Sequence, residues 1–250
     1  MCGMKHLLLA ATLAMGATLS AAGISTLASG ATQGPLEQVA KAFEQQSGHQ
    51  VTIQFDTSQN IARRLASGEA PDVLIASVAG VDQAIKDGKA IAGTRAPVGK
   101  IGVGVAIPRG GRRPDLSSAD TLKASIVQAD AVVFTLGASG VFVEKMLADM
   151  GIADLVRAKV VRVPTGAAVM TRLGAARTNE IGFTMISEIK FGESPLAVLV
   201  GPLPAAIQTM TAYDAVVMSS AGSPDAARAF VRAIVSPPAK QLLTAAGWSF

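Results

Sequence analysis

The chain has 250 residues, 50% of them hydrophobic and 16% charged, with a formal net charge of +4 at pH 7 and a single cysteine, Cys2. This length and apolar content suffice for a large core built from Ala, Val, Leu and Ile, and the cysteine count excludes a disulfide framework. The one basic cluster, Arg109, Arg112 and Arg113 beside Gly110 and Gly111, lacks interleaved aromatics and reads as a solvated turn, so no nucleic-acid partner is expected.

At the N-terminus, Lys5 and His6 precede an apolar and small-residue run from Leu7 to Leu19, followed by Ser20-Ala21-Ala22. A charged start, a short apolar core and a small-residue exit predict a secretory signal over residues 1–22. The run is well short of the roughly 20 residues needed to cross hydrocarbon. Cys2 lies before the run, so it cannot be a lipoprotein's lipid-bearing cysteine. The expected location is therefore the periplasm. The remaining chain has no cysteine and one histidine, His49, read as a surface residue in a helix-to-strand turn.

From there strands and helices alternate. Ile24–Ala28 predicts a strand ending in the loop Ser29-Gly30-Ala31-Thr32-Gln33-Gly34, and Pro35 opens a helix whose apolar face is Leu36, Val39, Ala40 and Phe43. Gly48 caps it. Val51–Phe55 is a strand, the segment from Asp56 to Asn60 a loop, and a helix carrying Ile61 and Leu65 ends near Gly68. Buried strands follow at Val73–Ala76 and Ile101–Ile107, then a helix capped by Ser118. The strand Ala131–Phe134 runs into the loop Thr135–Gly140, and Val160–Val163 into Pro164-Thr165-Gly166-Ala167, each ahead of a helix. Ile181–Met185 is a further strand, and the Pro224 and Pro237-Pro238 segments start the last two helices. This alternation predicts the α/β class, with mixed, mostly parallel sheets flanked by helices.

Four loops share one composition: Ser29-Gly30-Ala31-Thr32, Thr57-Ser58-Gln59-Asn60, Ala138-Ser139-Gly140 and Thr165-Gly166-Ala167. Each lies between a strand and a helix, where ligands bind in open parallel sheets and where free N–H groups and the positive end of the helix dipole point. Taken singly, each is also what a helix cap or a turn requires. Together they form a set of neutral donors suited to a small ionised anion.

Several segments carry a family resemblance: Leu27–Thr32, Ile61–Leu65 leading to Ala70–Ile75, Ala138–Phe142, Glu180–Phe183 and Val200–Pro204. In their order and spacing, from Ser25 to the C-terminus, the chain resembles the periplasmic molybdate-binding proteins and their relatives among bacterial extracellular solute-binding proteins. The resemblance implies a two-lobed type II periplasmic-binding fold. Residues 23–102 and 210–250 would form one lobe and 103–209 the other, with crossings near Ile101–Val103 and Thr209–Tyr213. It implies a molybdate- or tungstate-like ligand contacted by Ser29, Gly30, Ala31, Thr57, Ser58, Ser139 and Gly166 or Ala167. Met185 stands where the family uses a tyrosine hydroxyl. The implied partner is the inner-membrane permease of an ABC-type importer, and unobstructed closure argues for a monomer.

An enzyme is the first alternative. The Gly137–Val141 segment misses the G-x-S-x-G spacing, no S-x-x-K motif places a lysine beside a candidate serine, and His49 is the only histidine after residue 22. No cysteine–histidine cluster, calcium loop or Walker loop appears, so neither catalytic residues nor cofactors nor metals are expected. A second alternative keeps the fold and binds an organic carboxylate, through Arg63, Arg64 or Arg172 if one turns into the cleft. A sensory role for the same fold is the third.

Overall fold

The computed structural model describes residues 21–192 and 195–250. The segment read as a secretory signal lies almost wholly outside the described residues. The elements run β1 (Gly23–Ser29), α1 (Gln33–Ser47), β2 (Gln50–Asp56), α2 (Ser58–Ala66), β3 (Val73–Ser77), α3 (Val78–Lys86) and β4 (Ala96–Pro108). There follow α4 (Ala119–Gln128), β5 (Ala131–Thr135), α5 (Ala138–Asp149), α6 (Ala153–Val156), β6 (Val160–Val163), α7 (Gly166–Ala175) and β7 (Glu180–Met185). The last are α8 (Ile186–Phe191), β8 (Ala197–Pro202), β9 (Met210–Val217), α9 (Pro224–Ile234) and α10 (Pro237–Ala245).

The strands form one continuous path, β2-β1-β3-β9-β4-β7-β5-β6, with β8 also paired to β4. Strand β1 runs parallel to β2 and β3, and β5 runs parallel to β6 and β7. Every antiparallel pairing involves β4 or β9. Strand β4 is the pivot: Ala96 to Gly102 pairs with β9, and from Val103 its partner becomes β7. The switch falls where the sequence suggested a crossing, on a strand that begins five residues before the expected Ile101.

Strand alternation sends successive side chains to opposite faces. On β1, Ile24 and Ala28 join a core cluster shared with Leu36 and Phe43 of α1, Phe230 of α9, and Val143 and Met146 of α5. Leu27 faces the other way, onto Ile61 and Leu65 of α2 and Val81 of α3. In the second half, Ala106 and Val133 meet Val169, Met170 and Leu173 of α7 and Ile189 of α8. Helices thus cover both faces of the sheet.

Three expectations are corrected locally. Helix α1 begins at Gln33, two residues before Pro35, because Gly30–Thr32 already winds as a 3-10 turn. Helix α2 begins at Ser58 inside the expected loop, since the Thr57 side chain caps it. His49 is buried: its Nδ1 accepts from the Ala22 N–H at 3.1 Å and its ring packs on Phe43.

The α5 start is set by contact distance. A Cβ placed on Gly140 would lie 1.6 Å from the Thr135 carbonyl oxygen, so only glycine lets the helix leave β5 at this angle. Gly140→Ala is therefore expected to cost about 2 kcal/mol or more in urea unfolding. Gly93→Ala, where a Cβ meets nothing within 4 Å, should leave stability nearly unchanged.

Candidate functional site

The two parallel half-sheets direct the carboxyl ends of β1, β2, β5 and β6 toward one another, and a helix or helical turn starts at each end. Ser29 closes β1, and Thr32 Oγ1 donates to the Ser29 carbonyl at 2.7 Å, tightening the turn that leads into α1. Thr57 and Thr165 are the N-caps of α2 and α7, accepting from the Asn60 N–H at 3.3 Å and the Ala168 N–H at 3.2 Å. Gly137 is the N-cap of α5 and makes no side-chain cap bond. First-turn N–H groups have no partner inside their own helices and carry the positive dipole end.

These starts enclose a small solvent-open cavity of about 30 Å³. Ser29, Gly30, Ala31, Thr57, Ser58, Ser139, Gly166 and Met185 all line it. Ala167, exposed on the next position of α7, lines an adjoining cavity of about 120 Å³. The structure thus gathers every sequence-predicted position around one cleft. Gly30, Asp56, Thr57 and Glu188 belong to both cavities.

The buried hydroxyls are paired. Ser139 Oγ and Thr135 Oγ1 are 2.9 Å apart, and Thr135 Oγ1 also accepts from the Gly137 N–H at 3.2 Å. Tyr213, 2% exposed, shares a hydrogen bond with the Ser29 side chain. Burial, reinforced by the nearby Glu188 and opposed by the Ser29 hydroxyl, pushes the Tyr213 phenol up to about 12. It is therefore a neutral hydroxyl at any physiological pH. Tyr213 rather than residue 185 brings a tyrosine to this cleft, from the far end of the sequence.

Arginine does not enter. Arg64 is held by Glu69, Asp56 and Gln54, Arg63 by Asn60, and Arg172 makes a two-pronged pair with Glu180 at 2.6 and 2.9 Å. Neither cavity has a cationic residue in its lining. Among the described residues, no group of three His, Cys, Asp or Glu could hold a metal.

Sequence reasoning missed Glu188, the cleft's most unusual group. It is the third residue of α8, where its Oε2 accepts from Thr184 Oγ1 and, at 3.2 Å, from the Met185 N–H. The one available signal was a glutamate three positions after the strand end, the spacing of a capping box. Oε1 lies on the Gly30 side, 3.0 Å from where a Gly30 Cβ would stand, and a Gly166 Cβ would come within 2.5 Å of Oε2. A side chain at Gly166 would displace the carboxyl from between the two loops, and one at Gly30 would crowd it. Ser187 beside it donates to the Ala31 carbonyl at 2.6 Å, tying α8 to the first loop. Burial pushes the Glu188 carboxyl above its usual range, against the pull of the Thr184 and Met185 donors.

Helix starts, hydroxyls and a cleft at a strand crossing define a small-ligand-binding α/β protein. The description of bacterial extracellular solute-binding proteins matches residues 24–249, and the chain belongs to this family. Its structure is similar to the periplasmic molybdate-binding protein of Azotobacter vinelandii, with a TM-score of 0.74 and 19% identity over 91% of this chain and 99% of that one. It is also similar to the sulfate-binding protein of Mycobacterium tuberculosis H37Rv, with a TM-score of 0.70 and 18% identity over 91% and 86% of the two chains. The fold is thus the two-lobed type II periplasmic-binding fold. In sequence the chain is 29% identical to an aconitate isomerase from Pseudomonas sp, over 94% of this chain and 95% of that protein. Among the described residues, no helix is long and apolar enough to cross a membrane.

Glu188 sets a stability trend of known sign. A carboxyl whose folded pKa lies above its unfolded value near 4.5 contributes stability at low pH that is lost as pH rises through the raised folded value. Melting curves of ligand-free Glu188→Gln and the parent from pH 5 to 8 should therefore diverge, the variant gaining relative stability toward pH 8. A constant difference across this range would contradict the raised carboxyl.

Proposed function

We propose that this chain is a periplasmic binding protein, exported by the signal at residues 1–22, that captures a small anion between two lobes and presents the closed form to an inner-membrane permease of the ABC type. Residues 23–102 with 210–250 form one lobe and 103–209 the other. The observation that carries this reading is the convergence of four helix starts and the hydroxyls of Ser29, Thr57, Ser58, Thr135, Ser139 and Tyr213 on a cavity without a cation. Neutral donors hold an ionised ligand without a counter-charge to slow its release. The first and second loops belong to one lobe, the Ser139 and Gly166 loops to the other. A ligand touching both therefore favours closure, and Val103 with Met210 marks the hinge. The donor set suits an oxyanion of the molybdate or tungstate type.

A second reading rests on Glu188 together with the likeness to an aconitate isomerase. The two adjoining cavities share Glu188 in their linings, and a polycarboxylate reaching from one to the other would place its carbon skeleton beside the Glu188 carboxyl. In this reading the carboxylate takes a proton from a methylene carbon. The C–H electron pair becomes the new C=C bond, and the old double bond's pair takes the proton back at its far carbon.

Thermal-shift measurements of the purified protein with molybdate, tungstate, sulfate, phosphate, citrate and trans-aconitate test the first reading, because a ligand of the native state raises the melting point. A shift with at least one anion is expected, and silence across the panel overturns anion capture. Ser139→Ala should weaken the responding anion about tenfold and lower stability by about 1 kcal/mol, the usual worth of one lost hydrogen bond. Proton NMR of cis- and trans-aconitate with the protein in deuterated water decides the second reading. Interconversion with deuterium uptake supports it, and unchanged spectra beside measurable binding reject it.

A further inference from the structure

Glu188 is out of place in an anion site. A carboxylate in the lining would repel the ligand that the surrounding helix starts attract, and burial would strengthen that repulsion. Yet the fold builds around it: Gly166 lacks the side chain that would displace it, Gly30 leaves Oε1 uncrowded, and Thr184 Oγ1 and the Met185 N–H both donate to Oε2. With Oε2 engaged by two donors, a proton on this group resides on Oε1, the oxygen on the Gly30 side of the cleft.

We propose that Glu188 binds the anion as a neutral acid, so that the protein takes up one proton together with each anion and Oε1 donates a hydrogen bond to it. The inference rests on the anion-capture reading above and adds the proton to it. The raised carboxyl pKa agrees with the arrangement.

No neighbouring cation competes for the role. Tyr213 of β9 and Asp56 of β2 share the cavity. The phenol stays neutral, and the Asp56 carboxylate is occupied by the Thr57 N–H, the Asn60 amide and Arg64. On α8 itself Lys190 donates to the Ala245 carbonyl. Arg172 of α7 and Glu180 of β7 are paired with each other, and Glu37 of α1 accepts from the Gln33 amide. Lys100, the charged residue of β4, lies on the part paired with β9, and β8 and the Gly30–Thr32 turn carry no charge.

Calorimetric titration with molybdate, sulfate and trans-aconitate between pH 6 and 9, in two buffers of different ionisation enthalpy, tests this. Molybdate and sulfate remain dianions over that range, so any proton taken up belongs to the protein. Affinity is expected to fall about tenfold per pH unit above the Glu188 pKa, with one proton absorbed per anion. Glu188→Gln keeps a neutral hydrogen-bonding group and should bind with an affinity independent of pH and without proton uptake. Binding with the same flat pH profile in parent and variant overturns the proton role while leaving anion capture standing. Failure of all three anions to bind the parent at pH 6 overturns both.

Discussion

Strand β4 is the constraint on which the rest depends. It is hydrogen-bonded to β9 along its first half and to β7 and β8 along its second, so the two parallel half-sheets cannot be placed independently. Both present their carboxyl ends to the same gap, and the helices that must follow a parallel strand start there. The cleft is therefore a consequence of topology before any side chain is considered. The short contacts at its floor, Ser187 to the Ala31 carbonyl and Glu188 between Gly30 and Gly166, are possible only because β7 delivers α8 to the first loop.

The chemistry of the cleft is a balance between attraction and exclusion. Helix starts and hydroxyls favour negative charge, and the absence of a lysine or arginine from the cavity linings keeps that preference moderate. Against this background the half-buried Glu188 carboxyl stands out, because away from bulk water its charge state bears on how strongly the site attracts an anion. Tyr213, fixed as a neutral phenol beside Ser29, adds a donor or acceptor without adding charge. In the two readings proposed above the same carboxyl serves proton-coupled capture or, with an unsaturated polycarboxylate, proton transfer.

Much of the fold was legible because its signals are local. The apolar stripe of α1, the Ser118 cap, the Gly48 cap and the buried run of β3 each depend on neighbours within a few residues, and all stand as read. The donor loops were legible for the same reason, since small and hydroxyl residues between a strand and a helix mark a helix start wherever it lies. His49 was misread because its burial depends on the Ala22 N–H and the Phe43 ring, and the polar side chain alone suggested solvent.

The sequence by itself thus determined the α/β class, the alternation of elements, and which loops could offer neutral donors, because period, caps and turn residues act over one or two helical turns. Only the tertiary structure decided that four such loops share one cavity, that Arg63, Arg64 and Arg172 are spent on acidic or amide neighbours, and that Glu188 and Tyr213 enter the cleft. Glu188 is 158 residues from Gly30 along the chain and meets it only through pairing across β4. Its burial, and with it the charge of the site, arises from packing between distant segments, and no local pattern encodes that.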